Sequence, residues 1–368
     1  MIMDEQTIEE LIIGDEYQSK TIQKKQLLQK LLRIAIIILV VSVGIVLIAF
    51  SVFKIILSRT LDLSQYSISI QSEFKIPEST KRLKILQYNA FWRSDIMHIG
   101  TNEYVHERAM TLVDLLDDYD IVCLSETFQF GSSTVQHFIE SMKAKGFNYF
   151  ASGEKPSFFS RFLIDSGCMI CSKYPIIEID TFTYPDGQSF DAFCAKAIIY
   201  TKIQISQTQT VNLFSTHLQA SYDIITESDL KIRSKQRGNI NNFMKKQLLK
   251  TNSSQNELLL LVGDLNSEFY DLRERKQFLP DLQIEGYEIA DTLYDSSSDK
   301  RPFTTCDQFF TNGPDIKRES IDYCLIYQLK GTPHVESYHS NVVQFAVPKR
   351  PYQYLSDHFA VTADLILQ

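Results

Sequence analysis

The chain is short of positive charge and of tryptophan, and it contains no internal repeat or low-complexity tract. Its 368 residues include 37 Lys and Arg against 45 Asp and Glu, a formal net charge of −8. An acidic domain is a poor match for a long polyanion such as DNA, so we expect no nucleic-acid partner. The 24 Phe and 18 Tyr against a single Trp indicate a strand-rich core. The length suits one large globular domain.

Cysteine is also scarce, and most of the six Cys lie inside apolar runs. We predict that they behave as small buried apolar residues. Cys168 and Cys171 have the spacing of a redox or zinc motif, but no second ligand pair accompanies them. One or two disulfides remain open if the domain lies outside the cytoplasm. The six residues are Cys123, Cys168, Cys171, Cys194, Cys306 and Cys324.

One long uncharged segment stands out near the N-terminus. Residues 34–53 form an apolar run of 20 residues between Arg33 and Lys54. At about 1.5 Å per residue, such a helix crosses a hydrocarbon core of about 30 Å. A cleaved signal peptide, the alternative, has a shorter apolar region after a short basic start. We predict a transmembrane helix at 34–57, after a segment at 1–33 and before a stalk at 58–80.

Flanking charge predicts the orientation of this helix. Five basic residues precede the span, whereas only Lys54 and Arg59 follow it closely. By the positive-inside rule, the N-terminus lies in the cytoplasm and the domain is lumenal or extracellular. The sequon at Asn252 adds little weight to this prediction. The five preceding basic residues are Lys20, Lys24, Lys25, Lys30 and Arg33.

The remaining segment, 81–368, alternates short apolar strands with fewer helices. Many buried strands and few helices predict an α+β sandwich of two stacked sheets with outer helices. We predict helices at 104–117 and 227–249. We predict strands at 83–91, 121–126, 167–176, 193–200, 210–218, 257–266, 321–327 and 358–367.

Polar residues suited to catalysis occur at the ends of these strands. Turn-forming residues at a strand end need no functional explanation when taken singly. Together they form an unusual mixture of carboxylate, amide and imidazole groups. The set is Asn89, Glu126, His217, Asp264, Asn266, Asp322, Asp357 and His358.

Two parts of this set suit a metal and an attacking water. Mg²⁺ prefers oxygen ligands, usually one or two carboxylates with several waters, and Glu126 with Asn89 would serve. Asp264 and Asn266 alternate with Leu265, so on a strand their side chains share one face. That arrangement would place a carboxylate that orients water beside an amide that binds a phosphate oxygen.

The two histidines suit proton transfer and charge stabilisation. His358 is the candidate general base, with Asp322 as the carboxylate that orients it. His217 would donate a hydrogen bond to the phosphate as charge develops.

Six motifs in order carry a resemblance to a known family. LQYNAF, LSETF, STHLQA, VGDLNSE, IDYCLIY and LSDHFAV resemble the successive motifs of the DNase I-like endonuclease/exonuclease/phosphatase superfamily, over roughly residues 83–367. The resemblance implies a four-layer α/β sandwich that hydrolyses phosphoesters with Mg²⁺ or Mn²⁺. It also implies metal binding by Asn89, Glu126 and Asp357, and catalytic roles for His217, Asp264, Asn266, Asp322 and His358.

Further features are similar to neutral sphingomyelinases. STHLQA is followed by IRSKQR at 232–237, and SGCMICSKYPI at 166–176 is similar to that group's strand before a Tyr-Pro turn. Asp191 and Lys196 are similar to that group's Asp-and-Lys strand, although Ala197 stands where the group usually has Gly. The resemblance implies hydrolysis of sphingomyelin, or a related phosphosphingolipid, to ceramide and phosphocholine. Lys196 would help to hold the phosphate; the alternative is a lysine on a strand edge.

The segment 155–164 joins two predicted strands and is rich in phenylalanine. Phe158, Phe159 and Phe162, with Arg161, would form an apolar tip that contacts the membrane holding a lipid substrate. The alternative is a loop folded back onto the core. The sequence does not predict an oligomeric state.

Three other functions compete with this interpretation. An inositol-polyphosphate 5-phosphatase usually has Trp before its GDxN motif and a Cys-Asp-Arg stretch where this chain has Ile321-Asp322-Tyr323. An endonuclease is disfavoured by the apolar span and the acidic domain. A catalytically inactive membrane-tethered protein is disfavoured because the catalytic histidines and carboxylates are present.

Overall fold

The structure, a computed structural model, describes residues 5–57, 75–93, 104–129, 132–222, 224–251, 257–311, 317–331 and 334–368. The chain divides into two compact units, Met1–Ile55 and Ile56–Gln368. The sequon at Asn252 and most of the predicted stalk, 58–74, lie outside the described residues. Residues 75–80 form neither helix nor strand.

The described residues of the first unit form one helix, α1, which spans Glu5–Leu57. The polar segment predicted at 1–33 is therefore helical from Glu5 and continuous with the apolar run. By length and composition, Lys20–Ile55 qualifies as a membrane span, and a signal sequence would pass the same test.

The described residues of the second unit form two six-stranded mixed sheets. The strands are β1 Arg82–Trp92, β2 Ile121–Thr127, β3 Tyr149–Ser152, β4 Met169–Ser172, β5 Ile176–Thr183, β6 Ala197–Gln204, β7 Thr210–His217, β8 Glu257–Asp264, β9 Tyr287–Asp291, β10 Asp322–Leu329, β11 Val335–Val343 and β12 Ala360–Leu367. The first sheet has the strand order β11-β12-β1-β2-β4-β3, and the second has the order β5-β6-β7-β8-β10-β9. The pairs β1–β2 and β7–β8 are parallel, and the other pairs are antiparallel.

The sheets stack because their central strands are apolar on both faces. In β8, Leu258 and Leu260 pack between the two sheets, whereas Leu259 and Leu261 pack against the outer helices. Every residue of β8 is consequently buried. A strand covered on both faces has a continuous apolar sequence, as this one does.

Helices cover the outer face of each sheet. The helices α2, Val105–Val113, and α3, Thr134–Ala144, pack on the first sheet. The helices α4, Glu227–Thr251, and α5, Leu272–Leu282, pack on the second. The order helix, sheet, sheet, helix confirms the predicted four-layer α+β sandwich.

Some predicted boundaries were wrong. The run 167–176 contains β4 and, after a turn, the first residue of β5. The predicted strand 193–200 begins at Ala197, after a 3₁₀ helix at Ser189–Phe193. The edge strands β9 and β11 were not predicted. Their sequences are partly polar because one side of each strand faces solvent. All six cysteines are free and buried, as predicted.

Candidate active site

The candidate site lies where strand ends from both sheets meet. Since β1–β2 and β7–β8 are parallel pairs, their carboxyl ends carry Asn89, Glu126, His217 and Asp264 to one edge of the sandwich. The antiparallel strand β10 starts at this edge, where Asp322 pairs with Asp264. Asp357 and His358 arrive just before β12.

Asp322 and His358 form a buried pair. The Nδ1 atom of His358 lies 2.8 Å from Oδ2 of Asp322. Because a carboxylate only accepts, Nδ1 carries the proton and Nε2 faces the site. Burial lowers the pKa of His358, but Asp322 raises it, and the resulting pKa lies well above the ordinary value for histidine. A bound cation would oppose that rise.

Asp264 occupies the centre of the site. Its Oδ2 accepts a hydrogen bond from Asn89 Nδ2 at 3.0 Å and lies 3.5 Å from His217 Nε2 and 3.8 Å from His358 Nε2. Burial and the neighbouring Asp322 charge raise the pKa of Asp264 to about 7. Both histidines therefore lie next to the Asp264 carboxylate.

Glu126 and Asp357 form the accessible part of the site. Both are half-buried, and burial followed by the charge of Asp357 raises the pKa of Glu126. Two carboxylates that repel each other in this way fit a divalent cation. Glu126 has φ 55°, a conformation that costs free energy in a non-glycine residue and is frequent at functional sites.

Asn89 lies beside this pair. Its Nδ2 donates to Glu126 Oε1 at 3.0 Å, and its Oδ1 accepts from the Phe91 amide. Asn89 thereby holds Glu126 in place, and its predicted role as a metal ligand stays a prediction.

A second set of ligand atoms is close enough for a cation, in Asp264, Asp322 and His358. These groups are buried and already bonded: Asp322 receives Gln87 Nε2 at 3.1 Å as well as His358. A cation that must also meet a phosphate fits the more accessible Glu126 and Asp357 better.

Lys196 and His217 form the other side of the site. Lys196 is buried, and its Nζ lies 2.9 Å from Asp191 Oδ2, 3.2 Å from His217 Nε2 and 2.6 Å from the Leu218 carbonyl oxygen. Burial and the Lys196 charge lower the pKa of His217 well below its ordinary value. Lys196 therefore lies in the cluster and not on an exposed strand edge, and its charge favours the neutral form of His217.

Asn266 reaches the site by a turn. Strand β8 ends at Asp264, so the predicted strand pleat at 264–266 was wrong. The Asn266 backbone has φ 48°, its amide nitrogen donates to Asp264 Oδ1 at 2.9 Å, and its Nδ2 donates to the Leu218 carbonyl at 3.1 Å. The two side chains still lie in one cluster.

Gly263 lets β7 and β8 approach at this edge. A Cβ atom at Gly263 would lie 2.0 Å from the Thr216 carbonyl oxygen, and its φ is 151°. The glycine of the GDLN motif is therefore a packing requirement for bringing His217 beside Asp264.

Three supporting contacts were missed by sequence reasoning. Gln87 and Thr304 bond Asp322, through its side chain and its backbone amide respectively. Ser356 Oγ donates to the Asn89 carbonyl at 2.6 Å and so ties the segment before β12 to β1. Gln87 was detectable, because it is two residues before Asn89 on one strand face. The contacts of Thr304 and Ser356 carry no local signal.

An exposed aromatic surface adjoins the site. Phe159 is 93% exposed and its ring packs edge-on to Phe158, while Phe162 is half-buried against Arg161. The backbone of this loop pairs with the 3₁₀ helix that carries Asp191. Phe159 therefore faces solvent, whereas Phe158 and Phe162 are half-buried. Phe190 and Phe193 of the 3₁₀ helix are also exposed.

Comparison with known proteins agrees with this geometry. Residues 86–358 match the endonuclease/exonuclease/phosphatase family. A sphingomyelinase of Dictyostelium discoideum is 32% identical over 41% of this chain and 38% of its own length. Sphingomyelinase C of Bacillus cereus is 23% identical over 82% of this chain and 93% of its own.

Solved structures show the same relationship. A beta toxin variant from Staphylococcus aureus, with bound magnesium ions, superposes with a TM-score of 0.60 and 25% identity over 77% of this chain and 99% of its own. The chain belongs to the endonuclease/exonuclease/phosphatase family and hydrolyses phosphodiester bonds. Within that family it is similar to the neutral sphingomyelinases.

Proposed function

We propose that this protein is a membrane-anchored, Mg²⁺-dependent hydrolase of sphingomyelin, or of a related phosphosphingolipid, that releases ceramide and phosphocholine. The observation that carries the proposal is the convergence of Glu126, Asp264 and His358, with Asp322 and Lys196, at one edge of the sandwich. The sphingomyelinases among its relatives support the lipid class.

Glu126 and Asp357 would hold the cation, with Asn89 beside them. When bound, Mg²⁺ would supply Lewis-acid stabilisation of the phosphate and of the leaving alkoxide. The half-buried position of both carboxylates supports this assignment, since the phosphate must reach the same place.

His358 and Asp264 would act on the attacking water. His358 accepts its proton at Nε2, while Asp322 holds the ring by Nδ1. Asp264, whose Oδ2 faces Nε2, and Asn266 orient the water for in-line attack on phosphorus. His358 Nε2 and Asp264 Oδ2 are 3.8 Å apart, which is close enough for both side chains to contact one water molecule.

Lys196 and His217 would bind the phosphate. Lys196 is a buried cation within the cluster, and its Nζ lies 3.2 Å from His217 Nε2. Its charge complements the negative charge that builds on the phosphate oxygens during attack. A hydrogen bond from His217 to the phosphate would add to this effect.

The aromatic surface would meet the bilayer. Phe158, Phe159 and Phe162 lie at the end of a loop beside Arg161, a combination suited to the boundary of acyl chains and headgroups. We further propose that 34–57 is a retained anchor between 1–33 in the cytoplasm and a lumenal or extracellular domain at 81–368. Protease protection of the domain in sealed vesicles tests that topology.

A headgroup-release assay tests the proposed function. Purified full-length protein is given sphingomyelin, phosphatidylcholine, a phosphoinositide and short duplex DNA, each with and without Mg²⁺. We expect phosphocholine from sphingomyelin only when Mg²⁺ is present. Preferential cleavage of DNA or of a phosphoinositide would replace the proposal with an endonuclease or a phosphatase. No hydrolysis of any of them would contradict the assigned activity.

A further inference from the structure

One peptide group positions two of the site residues. The Leu218 carbonyl oxygen accepts hydrogen bonds from Lys196 Nζ at 2.6 Å and from Asn266 Nδ2 at 3.1 Å. These two side chains come from different parts of the chain, before β6 and after β8. The orientation of this carbonyl therefore decides where both polar groups lie.

Gln236 holds that peptide group from its other side. The peptide is planar, so the Leu218 carbonyl and the Gln219 amide turn together. The Gln219 amide donates to Gln236 Oε1 at 2.9 Å, and Gln236 Nε2 donates to the Asp186 carbonyl at 3.0 Å. The Gln236 side chain is buried, and both of its polar ends are bonded.

Helix α4 makes a second contact with Gln219, through a residue one turn before Gln236. Arg233 forms a two-pronged ion pair with Glu274 of α5, at 2.7 and 2.8 Å, and donates to the Gln219 carbonyl at 3.2 Å. Arg233 and Gln236 are three residues apart, so they lie on the same helix face. The Arg-x-x-Gln pair thus fixes the segment that follows His217.

We infer that Gln236 is a positioning residue for the hydrolytic reaction. It acts through the Leu218–Gln219 peptide, which places Lys196 and Asn266 relative to the phosphate; it touches neither substrate nor metal. The inference rests on the proposed function for the reaction, but the hydrogen-bond relay itself is independent of turnover. Loss of the Gln236 acceptor frees the peptide to rotate, and misplacement by about 1 Å costs about 10²-fold in rate.

Three variants of the full-length protein in detergent micelles test the relay. Gln236→Leu removes both polar contacts at similar volume. Gln236→Glu keeps an oxygen for the Gln219 amide and serves as the conservative rescue. Asn241→Ala is the matched control, because Asn241 is a buried amide on the same helix that donates to the Asp281 and Gln283 carbonyls, away from the site. Melting temperatures identify any variant that loses the fold.

Turnover of sphingomyelin in mixed micelles is the first readout. We expect Gln236→Leu to lower kcat by about 10–100-fold with little change in KM, since the displaced groups act mainly in the transition state. Gln236→Glu recovers most of kcat, and Asn241→Ala keeps the wild-type value. Wild-type kcat in a folded Gln236→Leu variant overturns the inference while leaving the proposed function intact.

Hydrogen exchange is the second readout, and it needs no activity. We expect the Gln219 amide to exchange at least about tenfold faster in Gln236→Leu than in the wild type, because its acceptor is lost. Exchange should be unchanged in Asn241→Ala. An unchanged rate in Gln236→Leu overturns the relay even if the wild type hydrolyses no lipid, in which case the proposed function fails separately.

Discussion

Two buried polar clusters lie at opposite ends of β6, β7 and β8, and they differ in charge balance. At the far end, Lys202 pairs with Glu257 at 2.7 Å, Asn212 bonds the second Glu257 oxygen at 2.9 Å, and Tyr200 bonds Asn212 at 2.8 Å. The charge of Lys202 balances that of Glu257, and the Asn212 amide is hydrogen-bonded to Glu257 and Tyr200. Nothing in that cluster calls for a ligand.

The site cluster is unbalanced. Among the described residues, Lys196 and two histidines face five carboxylates, and the pKa values of Glu126 and Asp264 are raised. The five are Glu126, Asp191, Asp264, Asp322 and Asp357. Burial of unmatched negative charge is unfavourable unless a cation joins it. The comparison separates a polar cluster that completes the core from one whose unmatched negative charge supports the proposed cation site.

The largest effect that tests this contrast is metal dependence. We expect chelation to abolish hydrolysis and Mg²⁺ to restore it. Glu126→Gln, which removes one carboxylate charge, should lower kcat/KM by about 10³-fold or more at fixed free Mg²⁺, because transition-state charge is less well stabilised. Phosphocholine release against free Mg²⁺ is the measurement.

The matched control is Glu257→Gln at the balanced end. It should leave kcat/KM unchanged and lower the free energy of unfolding by about 1–3 kcal/mol, since Lys202 loses its charged partner. A Glu126→Gln enzyme with wild-type activity and wild-type Mg²⁺ dependence would remove Glu126 from the metal site.

His358→Ala should have the next largest effect. A positioned general base usually contributes about 10²–10⁴-fold, so kcat should fall by that factor. His339→Ala is the control, because His339 is exposed on β11, where its Nε2 lies 2.8 Å from Asn341 Nδ2. Activity within a few-fold of wild type would reject His358 as the base.

The two lysines allow a direct comparison. Each is largely buried beside a carboxylate, Lys196 with Asp191 and Lys202 with Glu257. We expect Lys196→Gln to lower kcat about 10²-fold, the usual cost of removing one group that stabilises transition-state charge. Lys202→Gln should lower only the melting temperature. Equal kcat in the two folded variants would show that the Lys196 pair is structural as well.

Most of the fold and much of the candidate site could be predicted from the sequence, because both depend on the same apolar runs. Strands buried on both faces leave long apolar runs, and the polar residue that ends each run marks the edge of the sheet. Glu126 and Asp264 were located in this way. The sandwich follows from the same runs, since such strands need a layer on each side.

What could not be predicted depends on contacts distant in the chain. Asn266 reaches Leu218 because the backbone turns at φ 48°, which the GDLN sequence alone does not reveal. Lys196 was placed on a strand, whereas a 3₁₀ helix brings Asp191 beside it. The pairing of Gln236 with Gln219 joins a helix to a loop and leaves no periodic signal.

The smallest effect concerns the aromatic surface, which lies outside both polar clusters. Phe158→Ser with Phe159→Ser should lower activity on sphingomyelin vesicles by about 10-fold, because partial burial of two rings in the bilayer stabilises binding by about 1–2 kcal/mol. Hydrolysis of a soluble phosphodiester should not change, since the role proposed for both rings is contact with lipid. Tyr338→Ser, on the exposed face of β11, is the control. Equal loss on both substrates would mean that the loop supports the site and does not contact the membrane. Catalysis and lipid contact would then not be assigned to separate parts of the molecule.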